Sequence, residues 1–126
     1  MKPFNTANAP QAIGAYSQAM IHQGVLYVSG QIPLPATGTE LISQEFIAQA
    51  HQVFKNLRAI ATAAGSSLNQ AIKLNVFLTD LSCFASLNEV MSQYCQEPYP
   101  ARAAIEVSAL PKGALIEIDG MFALED

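Results

Sequence analysis

Charged residues are scarce in this chain. Only 13% of its 126 residues are Asp, Glu, Lys or Arg, whereas 51% are hydrophobic. A typical soluble domain carries about 25% charged residues. A domain of this length exposes much of its surface, so a monomer would be expected to carry more charge. We therefore expect a homo-oligomer, in which copies of the chain cover part of each other's apolar surface.

Basic residues are the least common of the charged types. The formal net charge is −4, and the Lys and Arg residues are scattered as Lys2, Lys55, Arg58, Lys73, Arg102 and Lys112. A nucleic-acid-binding surface needs several cations close enough together to neutralise neighbouring phosphates. The sequence contains no such run or stripe, so nucleic acid is not expected as a partner.

Metal-binding motifs, disulfide pairs and membrane segments are also missing. Cys83 and Cys95 stand alone, without a CxxC pair or a His cluster at ligand spacing, so no metal is expected and both thiols should stay reduced. Residues 1–10 lack the apolar run of a signal peptide, and no segment approaches the roughly 18 apolar residues of a membrane span. These patterns predict a soluble cytoplasmic protein without a membrane partner.

The first half of the chain predicts two strands and a long helix. Residues 15–22 and 25–31 are rich in apolar and β-branched residues on either side of a Gln-Gly turn. Residues 32–39 contain two prolines and a glycine, which predicts a loop. From Phe46 to Ala64, apolar residues recur at three- and four-residue steps, as in an amphipathic helix, and Gly65 is suited to end it.

The second half predicts a strand, a helix and a hairpin. Residues 72–78 alternate as a strand with Ile72, Leu74, Val76 and Leu78 on its buried face, and residues 84–94 have helical spacing, with Ser82 or Asp80 as the cap. Prolines in residues 96–100 end this helix. Residues 101–107 and 114–124 are predicted strands around a turn at residues 111–113.

Together these elements predict an α+β fold in a single domain over residues 1–126. Two helices would pack on one face of a single mixed sheet of about five or six strands. The opposite face of the sheet would be uncovered, and it is the expected oligomer surface.

Arg102 is unusual because it lies within an apolar predicted strand. Alternation places Arg102 and Glu106 on one side of their strand, and Glu117 and Asp119 together on one side of the next, so all four are expected on one polar face of the hairpin. One interpretation is an exposed salt bridge, worth roughly 0–1 kcal/mol. The other is a cleft between subunits, where the planar guanidinium binds a ligand carboxylate with about 1.5–3 kcal/mol.

Four segments resemble the reactive intermediate/imine deaminase family, also called RidA or YjgF. The defining pattern is Pro100-Ala101-Arg102, followed by Leu110 and by Ile116-Glu117-Ile118. Three further segments match family motifs in the same order and at similar spacing: NAPQAIGAY at 8–16, SGQIPLPATG at 29–38 and VFLTDLSCFASLN at 76–88.

The resemblance implies a chorismate-mutase-like fold and a homotrimer whose sheets form a barrel, with clefts between subunits. It implies a 2-iminobutanoate/2-iminopropanoate deaminase that hydrolyses reactive enamines and imines, such as 2-aminoacrylate, to 2-keto acids and ammonia without a metal or cofactor. Arg102 would hold the substrate carboxylate, and Glu117 would position or activate the attacking water. The remaining substrate-binding positions of the family pattern are Tyr16, Ser29, Gly30 and Asn88.

Taken one at a time, these last positions have simpler interpretations. Tyr16 is typical of an interface or core aromatic residue, Ser29 of turn chemistry, and Asn88 of an exposed helical position. Only their joint match to the family pattern indicates a site.

Two features depart from the family pattern, and two other functions remain open. Ala104 occupies a position where many family members have cysteine, and the connector at residues 96–99 is shorter than usual, which bears on substrate size. The first alternative function is a non-catalytic module that binds small carboxylates for regulation. The second is an endoribonuclease or translation inhibitor, which the acidic charge balance disfavours.

Overall fold

This computed structural model describes residues 1–124, which contain six strands and two α-helices joined by loops and short 3₁₀ turns. The last two residues of the predicted domain lie outside this range. In chain order the elements are β1 (Lys2–Phe4), β2 (Ala19–His22), β3 (Val25–Gln31), α1 (Phe46–Ala63), β4 (Ala71–Leu78), α2 (Phe84–Met91), β5 (Ala101–Glu106) and β6 (Ile116–Ala123).

The strands form one mixed sheet in the order β1-β2-β3-β6-β4-β5. The β4–β5 pair is parallel and the other pairs are antiparallel. In the central strands, alternate residues are buried against α1 and α2, and together they form the hydrophobic core. The predicted α+β architecture, with both helices on one face of a single mixed sheet, is confirmed.

Helix α1 supplies the largest part of the helical layer. Its buried positions repeat at three- and four-residue steps from Ala50 to Ala61, so one continuous stripe faces the sheet. Gly65 adopts a φ of 89°, the left-handed conformation that ends many helices and that glycine accepts without steric cost. Phe54 in the middle of the stripe is fully buried.

The predicted hairpin of β5 and β6 is wrong. Strand β4 lies between them, pairing with β5 on one side and with β6 on the other. The reason is that β4, α2 and β5 form a β-α-β unit, in which a crossover helix brings two parallel strands side by side. Residues 111–113 form a 3₁₀ turn within a longer connection, and Lys112 and Gly113 both have positive φ there.

Several element boundaries also differ from prediction. β2 covers only the second half of residues 15–22, and α2 ends at Met91, three residues early. The Asp80 carboxylate accepts a hydrogen bond from Ser82 N at 2.8 Å, so it caps the 3₁₀ turn that precedes α2. Ile72 is 45% exposed, because the pairing of β4 with β6 shifts register at this residue.

Two buried amides fix the loops on the helical side of the sheet. Gln49 Nε2 donates to Ser43 O at 2.9 Å, and its Oε1 accepts from Leu115 N at 2.8 Å. Asn56 Nδ2 donates to Leu34 O at 3.0 Å. Since a buried backbone group without a partner costs free energy, these amides stabilise irregular segments that have no ladder of their own.

Candidate active site

Arg102 lies on the side of the sheet that carries the helices. Along β5 the exposed residues are Ala101, Ala103, Ile105 and the last residue Glu106, whereas Arg102 and Ala104 are half-buried. The arginine therefore projects toward α2, beyond the edge of the main core. It borders a cavity of about 540 Å³, called here the arginine cavity, which is lined by Asn88, Met91, Ser92, Tyr99, Pro100 and Arg102.

Neutral groups hold the guanidinium of Arg102 in place. Its Nη1 donates to Asn88 Oδ1 at 2.6 Å and contacts Met91 Sδ at 3.6 Å. Its central carbon lies 5.0 Å from the centroid of the Phe84 ring, within the range of a cation–π contact. Within residues 1–124 no carboxylate neutralises this cation, so the salt bridge considered from the sequence is wrong. The remaining guanidinium hydrogens are free to bind an anion.

A second cavity, of about 470 Å³, lies on the uncovered side of the sheet and is called here the carboxylate cavity. Glu117 and Asp119 project into it from β6, and Ser29 and Gly30 border it from β3. Tyr16 borders it from the loop before β2. Four of the sequence-predicted site residues therefore come together here: Tyr16, Ser29, Gly30 and Glu117.

The carboxyl group of Glu117 lies directly over Gly30. A Cβ atom at position 30 would lie 2.9 Å from Glu117 Cδ and closer still to Oε2. Glycine at position 30 thus leaves the space in which the Glu117 carboxyl group lies. Burial in the cavity raises the pKa of Glu117, and the neighbouring charge of Asp119 raises this pKa further.

The Ser29 hydroxyl donates its proton to a backbone carbonyl. Its Oγ donates to Ser17 O at 2.6 Å, while its backbone N donates to Gln18 O at 3.0 Å. A hydroxyl has one donor and two acceptor lone pairs, so toward the cavity Ser29 can only accept. Tyr16 is 53% exposed, and its hydroxyl accepts from Ile13 N at 3.4 Å. The phenol proton remains available to a ligand.

The loop that carries Tyr16 is tied down by Gln18, which is 2% exposed. The side-chain amide of Gln18 donates to Pro10 O at 2.9 Å and accepts from Thr6 N at 2.9 Å. This wall of the carboxylate cavity is therefore a fixed part of the fold.

The two cavities lie on opposite faces of one sheet. Arg102 projects to the helical side of β5, whereas Glu117 projects to the uncovered side of β6. The expectation that Arg102 shares one face with Glu117 and Asp119 is wrong, because it rested on the incorrect hairpin, whereas Glu106 does lie on the same side of β5 as Arg102. A small substrate that contacts both residues must therefore lie between two chains.

Among the residues that sequence reasoning missed, four contact Arg102 or support the acidic pair of the carboxylate cavity. In the sequence, Phe84 and Met91 count only as part of the helical pattern of residues 84–94, and Asp119 only as a member of the polar face. Spacing gives a signal for the first two: Phe84, Asn88 and Met91 recur at steps of four and three residues, so they share one helix face. The fourth residue is Asn75, whose Nδ2 donates to Asp119 Oδ1 at 2.7 Å.

Neither a metal centre nor a membrane span is found in residues 1–124. No group of three His, Cys, Asp or Glu side chains comes close enough there to hold an ion. The same residues contain no helix with the length and hydrophobicity needed to cross a bilayer.

One cavity thus holds an arginine that has no carboxylate partner among residues 1–124, and the other holds a carboxyl group whose pKa is raised. Residues 6–124 match the model of the family described as Endoribonuclease L-PSP. The chain belongs to this family, which is the YjgF/RidA family that its motifs resemble.

Individual relatives cover nearly the whole chain. A RutC family protein of Sinorhizobium fredii is 50% identical over 98% of both chains. The human 2-iminobutanoate/2-iminopropanoate deaminase is 42% identical over 94% of this chain and 86% of its own length. The crystal structure of RidA from an Antarctic Psychrobacter superposes with a TM-score of 0.94 at 49% identity, covering 98% of this chain and 100% of that one.

Proposed function

We propose that this protein is an enamine/imine deaminase, which hydrolyses 2-imino acids such as 2-iminobutanoate and 2-iminopropanoate, and the enamine 2-aminoacrylate, to 2-keto acids and ammonia. The observation that carries the proposal is the Arg102 guanidinium, which borders an open cavity, is held by neutral groups and lacks a carboxylate partner within residues 1–124. The human relative named as such a deaminase supports the same reaction.

The proposed assembly is a homotrimer with a chorismate-mutase-like barrel, in which the uncovered sheet faces turn inward. Large apolar side chains on this face support it, since Tyr27 is 42% and Ile105 is 49% exposed in the single chain. The arginine cavity of one copy would meet the carboxylate cavity of the next. Such a heterologous contact closes into a ring of three when it rotates each copy by about 120° without translation along the axis.

The proposed reaction needs one carboxylate clamp and one proton carrier. Arg102 binds both oxygens of the substrate carboxylate, and Asn88 holds the guanidinium in position. The enamine reacts as its imine tautomer. Water adds to the carbon of the protonated imine while Glu117 takes one proton from the water, which leaves a carbinolamine. Glu117 returns this proton to the nitrogen, and as the C–N bond breaks Glu117 takes the proton of the new hydroxyl group, so that the 2-keto acid forms and ammonia leaves. The proton held by Glu117 then passes to the ammonia or to solvent.

The residues around the Glu117 carboxyl group complete the proposed site. Gly30 leaves space for the carboxyl group, and Ser29 accepts a hydrogen bond from the water or from the protonated nitrogen. Tyr16 donates its phenol proton to a substrate oxygen. Because a protonated imine carbon is already electrophilic, the proposed reaction uses no metal or cofactor. We further propose that residues 1–126 act as one domain in the cytoplasm.

A coupled assay tests the proposal. A pyridoxal-phosphate-dependent serine or threonine dehydratase generates the imine in situ, and keto-acid formation is followed with and without the purified protein. Wild-type protein should accelerate keto-acid formation, and Arg102→Ala should abolish the acceleration because the carboxylate clamp is lost.

The matched control is Arg58→Ala, which removes the other arginine of the sequence. Arg58 lies on α1 with its guanidinium carbon 5.2 Å from the centroid of the Tyr94 ring, away from both cavities. This variant should retain wild-type turnover. Full activity in Arg102→Ala, with the oligomer mass intact by light scattering, would refute the assigned role.

The two alternative functions predict different results. A carboxylate-binding module would lose little affinity in Glu117→Gln, whereas the proposed enzyme should lose turnover. The family description names an endoribonuclease. The formal net charge of −4 does not favour a polyanionic substrate. RNA cleavage that survives removal of contaminating nucleases and disappears in Arg102→Ala would favour that function instead.

A further inference from the structure

A second acidic residue stands beside Glu117 in the carboxylate cavity. Glu117 and Asp119 are two positions apart on β6, so both side chains project from the uncovered face of the sheet. Their Cα atoms are separated by about two strand rises, roughly 7 Å, which is within the range of appreciable electrostatic interaction in a partly buried cavity.

Asp119 is held in place by a side chain of the neighbouring strand. Asn75 on β4 is the register partner of Asp119, and its Nδ2 donates to Asp119 Oδ1 at 2.7 Å. The amide therefore fixes the position of the Asp119 carboxylate relative to Glu117.

We propose that Asp119, fixed by Asn75, is a positioning residue that acts electrostatically on Glu117 and thereby sets the pH range in which Glu117 can carry the proton of the reaction. This inference rests on the proposed function and deepens it. Asp119 needs no contact with the substrate for this role, because its effect is transmitted through its charge.

The other charged groups on this side of the sheet near Glu117 are basic. Lys73 projects from β4 on the same face, and Lys112 borders the adjoining hollow. The proposed assembly adds the Arg102 of a neighbouring copy. A cation near a carboxyl group favours its ionised form, and Tyr16 and Tyr27 add phenol hydroxyl groups on this side of the sheet. Asp119 is thus the group in the carboxylate cavity whose charge disfavours ionisation of Glu117.

Opposing electrostatic effects of Asp119 and of nearby cations suit a carboxyl group that must both accept and donate a proton. In the proposed cycle Glu117 takes a proton from water and returns it to the leaving nitrogen. A carboxyl group held strongly ionised by cations accepts the proton poorly, and proton transfer is most efficient when the pKa lies near the working pH. Burial and Asp119 both raise the pKa of Glu117 from its ordinary value.

The test compares Glu117 in the wild type and in Asp119→Asn, a variant of nearly the same shape without the charge. Carbon-detected NMR follows the titration of the Glu117 carboxyl carbon in the free protein, and the pH profile of kcat/KM is measured in the dehydratase-coupled assay. In Asp119→Asn the NMR midpoint should move to lower pH, and the acid limb of the profile should move with it. Glu40→Gln, which removes an exposed acid from a loop outside both cavities, should change neither readout.

Asn75→Ala is the second variant, and it tests the position of Asp119 without changing the Asp119 side chain. It preserves the Asp119 charge but releases its position, so the NMR midpoint should move in the same direction by a smaller amount. An unchanged midpoint in a folded Asp119→Asn protein would overturn the inference, as would a moved midpoint with an unchanged kcat/KM profile. Absence of turnover in the wild type would refute the proposed function instead, and NMR would still decide whether Asp119 acts on Glu117.

Discussion

Two inactive variants should restore activity when they share one assembly. Arg102→Ala removes the carboxylate clamp and leaves Glu117 intact, whereas Glu117→Gln removes the proton carrier and leaves Arg102 intact. Since these residues lie on opposite faces of the sheet, each proposed site takes Arg102 from one copy and Glu117 from the next. A mixed assembly therefore contains some sites in which both residues are present.

The size of the recovery follows from the geometry. In a random equimolar mixture, a site is complete only when the copy on its arginine side is Glu117→Gln and the copy on its carboxylate side is Arg102→Ala. In a random mixture that still includes rings of a single variant, about one quarter of all sites meet this condition. In a ring of three that contains both variants, one of the three sites meets it, so mixed assemblies should recover about one third of wild-type turnover per site.

The assay uses co-expression of the two variants with different affinity tags and purification over both columns, so that only mixed assemblies are measured. Keto-acid formation is then compared with that of each variant alone at the same site concentration. If one chain supplied both residues to its own site, no complete site could form. Turnover no higher than that of the separate variants, in assemblies shown to be mixed, would refute the interface geometry.

Two further substitutions test the space that Gly30 leaves for Glu117 and the hydrogen bonds that Gln49 makes to the backbone. Gly30→Ala should reduce kcat by about 10²-fold, because the new methyl group displaces the Glu117 carboxyl group from its position. The thermal unfolding midpoint should change little. If Gly30 acts only through this contact, the double variant Gly30→Ala/Glu117→Gln should be no less active than Glu117→Gln alone. Gln49→Leu should lower the free energy of unfolding by about 1–3 kcal/mol in a denaturant titration, because the backbone groups of Ser43 and Leu115 lose their buried partner; an unchanged unfolding midpoint would contradict this assignment.

The sequence predicted those parts of the fold that depend only on residues within one helix or strand. The apolar stripe of α1 and the glycine that ends it required only local periodicity. The neighbour of β5 did not follow from the sequence, because alternation describes the faces of a strand and says nothing about which strand lies beside it. A turn at residues 111–113 suggested a hairpin, although β-α-β connectivity placed β4 in between.

The candidate site shows the same division. Residues that belong to short motifs, such as Ser29 with Gly30, were identified together, and the structure places them together. Asp119 was missed because its significance depends on Asn75, which is 44 positions away in the sequence. The relative placement of Arg102 and Glu117 was predicted incorrectly for a related reason, since it depends on the order of strands across the sheet.

Irregular segments on both sides of the sheet are secured by Gln18, Gln49 and Asn56, whose amide groups neither gain nor lose a proton in ordinary buffers. Acidification that neutralises carboxyl groups in the site would consequently leave these supports intact. Activity measured between mildly acidic and mildly alkaline solution should therefore report the titration of the reacting groups, on a scaffold whose shape stays constant.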